Sequence, residues 1–169
     1  GLGNFDYRNN VIYNWGYNSC YGGEQVQDGA PTRIFSNINM VANYYKPGPA
    51  TQPGQVTYRI ANPSYREVKS DYGQWFIADN VMVGNSTVTT NNWKGGVQPQ
   101  GGMADTVYVK RNEPWPSIPI NQQTAQEAYD SVLVHAGCSF PKRDMIDAHI
   151  IHDTRNGNAS YEGATYKSN

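Results

Sequence analysis

Charged residues are scarce in this sequence, and the two signs balance. There are 13 lysines and arginines and 14 aspartates and glutamates, a charged fraction of 16% and a net charge of −1. A chain with so little excess charge has no long-range field that would attract a nucleic acid or an anionic membrane. We therefore expect no nucleic-acid partner, and an acidic ligand would have to be met by individually placed arginine or lysine side chains.

Cysteines and long apolar runs are also rare. Cys20 and Cys138 are the only cysteines, and they form neither a CxxC pair nor a zinc-ligand spacing. This pattern favours two unpaired, partly buried thiols over a disulfide. No stretch is long and apolar enough to predict a signal peptide or a transmembrane helix, so we expect no membrane insertion.

Glycine, tyrosine and proline are abundant instead, with 17, 13 and 10 copies in a chain of 169 residues. Such a composition suits short strands joined by many turns better than a helix bundle. The length predicts one domain, or part of a larger one.

A short pattern centred on an asparagine occurs three times. The copies read FDYRNNVIYN, INMVANYYKP and WFIADNVMVG, and their asparagines, Asn10, Asn43 and Asn80, recur at offsets of 33 and 37. The pattern predicts a coil repeat in which the three amides stack and hydrogen-bond to one another. We expect each asparagine to adopt the left-handed conformation of a sharp corner. The alternative is three unrelated asparagines that end ordinary strands.

The repeat predicts an all-β fold, the last coils of a parallel β-helix, followed by a C-terminal pair of α-helices. We assign residues 1–120 to the coils and their loops and residues 121–169 to the helices. Within the first part, Tyr58–Ala61 is expected as the strand that opens the third coil, and Val107–Val109 as a late strand. Thr124 and Glu127 form a capping-box pattern for a helix that ends at Gly137. A second helix is expected from about Pro141 to Asn156. The first coil would be uncovered, so we expect a further segment upstream of it.

Four blocks of the sequence carry a family resemblance. They are RNNVIYNWGYNSCYGGE, NMVANYYKPGPAT, NVMVGNSTVTTNNWKGG and AYDSVLVHAGCSFPKRDMIDAHIIHDTRNG. Taken in this order, they resemble the C-terminal half of the pectate lyases of polysaccharide lyase family 1. The resemblance implies a right-handed parallel β-helix and an exported protein, whether secreted, periplasmic or held at the cell surface. It also implies calcium-assisted cleavage of polygalacturonate, the backbone of pectin, by β-elimination.

The catalytic residues that the resemblance implies are not identifiable in this chain. In the family the proposed base is an arginine in an Arg-x-Pro-Arg motif, just before the strand that corresponds to Phe5–Asn10, and the calcium ligands lie on earlier coils. No such motif occurs here, and Arg8 lies inside the strand. We therefore expect the base and the calcium ligands on an N-terminal half, in the same gene product or in a separate chain.

Loops that follow the ladder asparagines are the expected substrate contacts. Arginines can pair bidentately with galacturonate carboxylates, lysine can act as a point charge, and tyrosine rings can pack on sugars. The predicted substrate-binding residues are Arg33, Arg59, Lys46, Tyr17, Tyr21 and Glu24. Each of them also has an ordinary structural interpretation, as a strand end, a loop contact or a turn.

Other functions compete with the lyase. A non-catalytic β-helical module that binds polysaccharide would need the loop residues but no base. A hydrolase is disfavoured because hydrolysis requires paired carboxylates, and the chain has no close acidic cluster. His149 and His152 lie three residues apart on the second predicted helix, but a third metal ligand is not evident.

Overall fold

The computed structural model describes residues 3–26, 35–160 and 165. Strands account for 23% of these residues and helices for 28%. The described strands are β1 (Gly3–Arg8), β2 (Val11–Tyr13), β3 (Tyr21–Gly22), β4 (Ser36–Val41), β5 (Tyr44–Lys46), β6 (Asn62–Pro63), β7 (Gln74–Ala78) and β8 (Val81–Met82). The described α-helices are α1 (Ser86–Thr90), α2 (Thr106–Val109), α3 (Ala125–His135) and α4 (Met145–Asn156). Short 3-10 helices span Gly54–Tyr58, Lys69–Asp71 and Met103–Asp105.

All the strand pairs are parallel. They form three small sheets with the orders β1-β4-β7, β2-β5-β8 and β3-β6. The pairing aligns side chains of the three repeats in rows, such as Phe5 with Ile38 and Ile38 with Trp75. Rows of this kind build the core, which is formed largely by Met40, Tyr45, Ile60, Tyr72, Trp75, Ile77 and Met82.

The three repeat asparagines lie one above another, as the sequence predicted. The backbone N–H and the side-chain amide of Asn10 both donate to Oδ1 of Asn43, at 3.0 Å each. Asn43 donates in the same way to Asn80, at 2.9 Å each. Asn80 donates to Asn92, which follows α1 and ends the series. Asn43 and Asn80 are fully buried, so these bonds supply the partners that buried amides require.

The left-handed residue is not the ladder asparagine itself, contrary to the prediction. Positive φ angles occur one position earlier, at Asn9 (55°), Ala42 (53°) and Asp79 (58°). The corner therefore bends just before the asparagine, which leaves its side chain free to point along the stack. Asn9 and Asp79 are residue types that tolerate this conformation, whereas Ala42 is strained by it.

The prediction of an all-β, right-handed parallel β-helix is wrong. Among the described residues helix exceeds strand, and the parallel sheets are small, with two or three short strands each. The asparagine repeat identified the strands on either side of it, but it gave no information on the long segments between repeats. Those segments form turns and short helices because glycine, proline and asparagine interrupt them repeatedly.

Two local predictions of strand are also wrong. Residues Val107–Val109 lie in α2, where the run of β-branched and aromatic side chains is outweighed by the turn that begins at Gly102. Tyr58, expected to open a strand, ends the 3-10 helix Gly54–Tyr58. Short apolar runs do not distinguish a strand from a helical turn by periodicity alone.

The C-terminal helices confirm their predicted end signals. In α3 the side chain of Thr124 accepts from the Glu127 N–H, and Glu127 accepts from the Thr124 N–H. Helix α4 begins after Asp144, somewhat later than Pro141, and ends at Gly157 in the left-handed conformation. Helix α3 packs on β2 and β5. No helix of the described residues is long and apolar enough to span a membrane.

Candidate functional site

A strip of residues 17–24 is held along the segment 59–64 by parallel backbone pairing. The Ser19 hydroxyl donates to the backbone oxygens of Arg59 and Ile60. Strand β3 then pairs with β6, in the register Tyr21 to Asn62. The binding strip, as we call residues 17–24, is therefore fixed to the body of the protein, and Tyr17 and Tyr21 are its exposed residues.

Arg59 anchors the start of the binding strip. Its guanidinium donates to the Tyr17 backbone oxygen at 3.0 Å and to Oδ1 of Asn18 at 2.8 Å, while Nε donates to Oε1 of Gln98 at 2.8 Å. The guanidinium also lies 4.8 Å from the centre of the Tyr17 ring, on its face. Arg59 is only 7% exposed, so its contacts position Tyr17.

The two tyrosines of the binding strip present their rings to solvent. Tyr17 is 57% exposed and Tyr21 69%. An exposed aromatic ring can pack on a ligand, and tyrosine combines an apolar face with a polar edge. The backbone of Tyr21 is paired and that of Tyr17 is bonded to Arg59, so little further backbone freedom is lost when a ligand packs on the rings. The arrangement can therefore bind a flat, partly apolar ligand.

Glu24 closes the binding strip with a network of polar contacts. Its carboxylate accepts a hydrogen bond from the Ser64 hydroxyl, and its backbone oxygen accepts from the Ser36 hydroxyl at 2.9 Å. Glu24 also forms an isolated antiparallel bridge with Tyr72. These contacts hold the end of the strip against the neighbouring segments.

Lys46 lies in a different environment. Its ammonium donates to the backbone oxygens of Thr154 and Arg155, at 2.7 and 2.8 Å, at the C-terminal end of α4. It also lies 5.7 Å from the centre of the Tyr129 ring. Terminal carbonyls of a helix carry partial negative charge, so a cation there stabilises the helix end.

The structure thus brings together four of the six predicted substrate-binding residues. Tyr17, Tyr21, Glu24 and Arg59 lie along the binding strip and the segment that supports it, whereas Lys46 contacts α3 and α4. Arg33 lies outside the described residues.

An exposed arginine just after the segment 59–64 was not singled out in the sequence. Arg66 follows directly after Tyr65, past the end of β6, and it is exposed. Its only sequence signal is its position after a strand end, which many surface arginines share. It is a candidate for contact with an acidic ligand that reaches beyond Ser64.

A buried polar cluster stabilises the neighbouring turns. Asp105 is 1% exposed and accepts from the Tyr72 hydroxyl at 3.1 Å and from the Lys69 ammonium. The hydrogen bond to Asp105 raises the pKa of Lys69. Because Lys69 compensates the buried carboxylate, the cluster has a structural explanation and needs no ligand.

Metal-ligating side chains do not cluster in the part of the chain that the structure describes. There, no group of three or more histidines, cysteines, aspartates or glutamates could hold a metal ion. His149 and His152 lie near Asp153, at 3.9 and 3.6 Å, and Asp153 is already bonded to Ser160.

Comparisons with known proteins add no assignment. No protein-family model matches the chain, and no curated protein matches it either. The four sequence blocks and the geometry of the binding strip therefore carry the functional argument.

Proposed function

We propose that the chain binds polygalacturonate, or pectin, through the binding strip and is the C-terminal part of a pectate lyase-like enzyme. That enzyme would cleave the polysaccharide by calcium-dependent β-elimination. The family resemblance of the four sequence blocks supports the reaction. The observation that supports the binding is the pair of exposed rings, Tyr17 held by Arg59 and Tyr21 on the paired strand β3.

The chemistry of a galacturonan suits the binding strip. Its sugar rings have apolar faces that pack on aromatic side chains, and its carboxylates require cations or hydrogen-bond donors. Tyr17 and Tyr21 supply exposed rings, and Arg66, which follows Ser64 at the supporting segment, supplies an exposed guanidinium. Arg59 acts in this proposal by holding Tyr17, and Lys46 acts by holding the end of α4.

Elimination needs groups beyond those of the binding strip. A base must remove the proton next to the carboxylate of the sugar, and a cation must neutralise the charge that develops there. We assign the arginine base and the calcium ligands of the proposed enzyme to its N-terminal half, as a part of the same gene product or as a separate chain. The present chain then contributes substrate contacts to the shared cleft.

Binding is tested with the purified chain and two polysaccharides. We expect polygalacturonate to bind, and an uncharged galactan to bind at least tenfold more weakly, because it lacks carboxylates. The double variant Tyr17→Ala/Tyr21→Ala should lose about 30-fold in affinity for polygalacturonate, since each stacked ring contributes about 1 kcal/mol. Tyr108→Ala is the matched control, because Tyr108 is an exposed tyrosine (44%) that lies under Lys69. Equal affinities of the double variant and the wild type would refute the proposed site.

The alternative function is a polysaccharide-binding module without catalysis. Exposed tyrosines on a fixed strip would serve binding alone equally well. The two functions differ in product. Mixed with an N-terminal half that carries an Arg-x-Pro-Arg end, and with calcium, the lyase part should release unsaturated oligogalacturonides that absorb ultraviolet light. A binding module would retain polygalacturonate and form no double bond.

A further inference from the structure

One face of the protein exposes side chains whose equivalents in the neighbouring repeats are buried in the core. This open face consists of the outward edges of β1, β2 and β3, each of which is the terminal strand in its sheet. In one row of the core, Trp75 is 1% exposed and Ile38 7%, but Phe5, at the open face, is 56% exposed. The apolar core is therefore exposed at this face, as it is at the separated interface of an obligate complex.

The backbone of β1 directs hydrogen-bonding groups towards the open face. Gly3 and Asn9 donate inward to residues 35 and 41. Backbone groups alternate between the two sides of a strand, so the N–H groups of Asn4, Asp6 and Arg8 face outward. No described residue pairs with that edge of β1.

The asparagine ladder has an unfilled acceptor at the same face. Oδ1 of Asn43 accepts two hydrogen bonds from Asn10, and Oδ1 of Asn80 accepts two from Asn43. Asn10 donates to Asn43 and to the Arg8 backbone oxygen, but no described residue donates to its Oδ1. If the ladder continued, Oδ1 of Asn10 would accept from a backbone N–H and a side-chain amide, as Oδ1 of Asn43 and of Asn80 do.

The opposite end of the ladder is closed, which excludes a second copy stacked head to tail. There Asn92 donates to the backbone oxygens of Asn80 and Val88. The Thr89 hydroxyl bonds with both backbone groups of Met82, and Arg111 donates to the Trp75 oxygen. A dimer joined face to face by a twofold axis would pair the two β1 strands antiparallel. That pairing would not bring a backbone N–H and a side-chain amide to Oδ1 of Asn10.

Apolar side chains flank the open face on the side of β1. The segment 116–120 borders a groove with Asn4 and Asp6. Within that segment Ile118 is 84% exposed and Ile120 53%. Exposed isoleucines beside an unpaired strand edge would cover the outer side of an added strand.

We propose that the open face binds a polypeptide segment with the same strand–asparagine–strand unit, which adds in parallel to β1 and β2. Its asparagine would donate to Oδ1 of Asn10, and its inward side chains would cover Phe5 and Tyr7. The inference rests on the proposed function only for the identity of the partner, the N-terminal half of the enzyme. The hydrogen-bonding pattern defines the chemistry of the segment.

The test uses a fluorescent peptide that copies residues 36–46, SNINMVANYYK, and the full chain. Binding is followed by fluorescence anisotropy. Asp6→Pro removes an outward N–H without touching the inward bonds of β1, and proline is tolerated at such an edge. Asp6→Ala is the matched control, because it also removes the carboxylate that pairs with Arg8 at 2.7 Å but keeps the N–H.

We expect the wild type and Asp6→Ala to bind the peptide alike, and Asp6→Pro to bind about tenfold more weakly. A peptide with alanine in place of its ladder asparagine should lose a similar factor. No binding to the wild type, or equal binding to Asp6→Pro, would overturn the proposal. The proposal would also be overturned if the protein sedimented as a dimer that the peptide does not dissociate. A second copy of the chain would then occupy the open face. Polygalacturonate affinity, measured on the same variants, is expected to stay unchanged, so the two proposals fail independently.

Discussion

Asn10 and Asn43 are joined by two hydrogen bonds that converge on a single oxygen. The backbone N–H and the side-chain amide of Asn10 both lie 3.0 Å from Oδ1 of Asn43. Asn43 in turn donates to Asn80 and to the Tyr7 backbone oxygen. One buried side chain thus joins three repeats, and hydrogen-bond networks of this kind are sensitive to the loss of any member.

Replacement of Asn43 by alanine should therefore be strongly destabilising. The change removes the acceptor of two bonds and leaves the Asn10 N–H unpaired, at a cost of about 2–4 kcal/mol in the free energy of unfolding. Urea denaturation measures it. Asn37→Ala is the control on the same strand, because the Asn37 amide donates to Asn4 on the exposed side, and it should cost less than about 1 kcal/mol. Equal costs for the two variants would contradict the importance of the ladder.

Ala42 offers a test of the left-handed corner. Its φ of 53° is unfavourable for alanine, and glycine removes that strain. Ala61 is equally buried but has no positive φ, so Ala61→Gly loses the same methyl group without any relief of backbone strain. We expect Ala42→Gly to be more stable than Ala61→Gly by about 1 kcal/mol. Thermal unfolding of both variants measures the difference, and identical melting temperatures would show that the corner is not strained.

Arg59 is predicted to act on the saccharide through Tyr17. Arg59→Lys keeps the charge but cannot reproduce the three directed hydrogen bonds. Hydrogen exchange at residues 17–19 should accelerate, and polygalacturonate affinity should fall by about threefold to tenfold, since one or two anchoring bonds are lost. Arg66→Lys, at an exposed site, should leave the exchange rates unchanged. Lost affinity with unchanged exchange in Arg59→Lys would instead indicate direct contact with the ligand.

Lys46 is predicted to stabilise the end of α4. Lys46→Met keeps the apolar part of the side chain and removes the ammonium, so exchange at residues 154–158 should accelerate. The free energy of unfolding should fall by about 1 kcal/mol. Affinity for polygalacturonate should change by less than about twofold. A folded variant with clearly weaker affinity would restore Lys46 as a substrate contact.

The two cysteines should differ in reactivity. Both are free; Cys20 is half-buried and Cys138 exposed, so the prediction of partly buried thiols is right for Cys20 and wrong for Cys138. Burial raises the pKa of Cys20 to about 11 from 9.0. In a Cys138→Ser background, the remaining thiol should therefore react with iodoacetamide at pH 8 about 100-fold more slowly than an ordinary cysteine.

The raised pKa of Cys20 also predicts a dependence of stability on pH. The folded state holds this proton more tightly than the unfolded state, so the contribution is complete below pH 9 and is lost as the pH rises from 9 to about 11. Cys20→Ala in the same background should remove this part of the pH profile. A profile that kept its shape would assign the effect to other groups.

Local signals in the sequence were sufficient for several elements. The capping box of α3 and the glycine that ends α4 act within a few residues, and the structure has both. The alternating apolar pattern around each ladder asparagine likewise located β1, β4 and β7. The segments between repeats have no comparable periodicity, and there the prediction of strands gave way to turns and short helices.

The candidate site was predictable only in part. Tyr17 and Tyr21 were chosen because aromatic residues stood in a long loop, and both are exposed. The anchoring of Arg59 by Tyr17, Asn18 and Gln98 depends on residues about 40 positions away in sequence. No local pattern shows that a particular arginine will be buried by such distant partners.

The sequence by itself determined where the chain alternates, where it turns and where its last two helices begin and end, because these features depend on neighbouring residues. It also determined that the three asparagines recur in equivalent positions. Only the tertiary structure decided which residue of each corner is left-handed, that helix exceeds strand in the described residues, and which predicted contacts are used internally. Those outcomes depend on packing and hydrogen bonds between distant segments, whose energies outweigh local preferences.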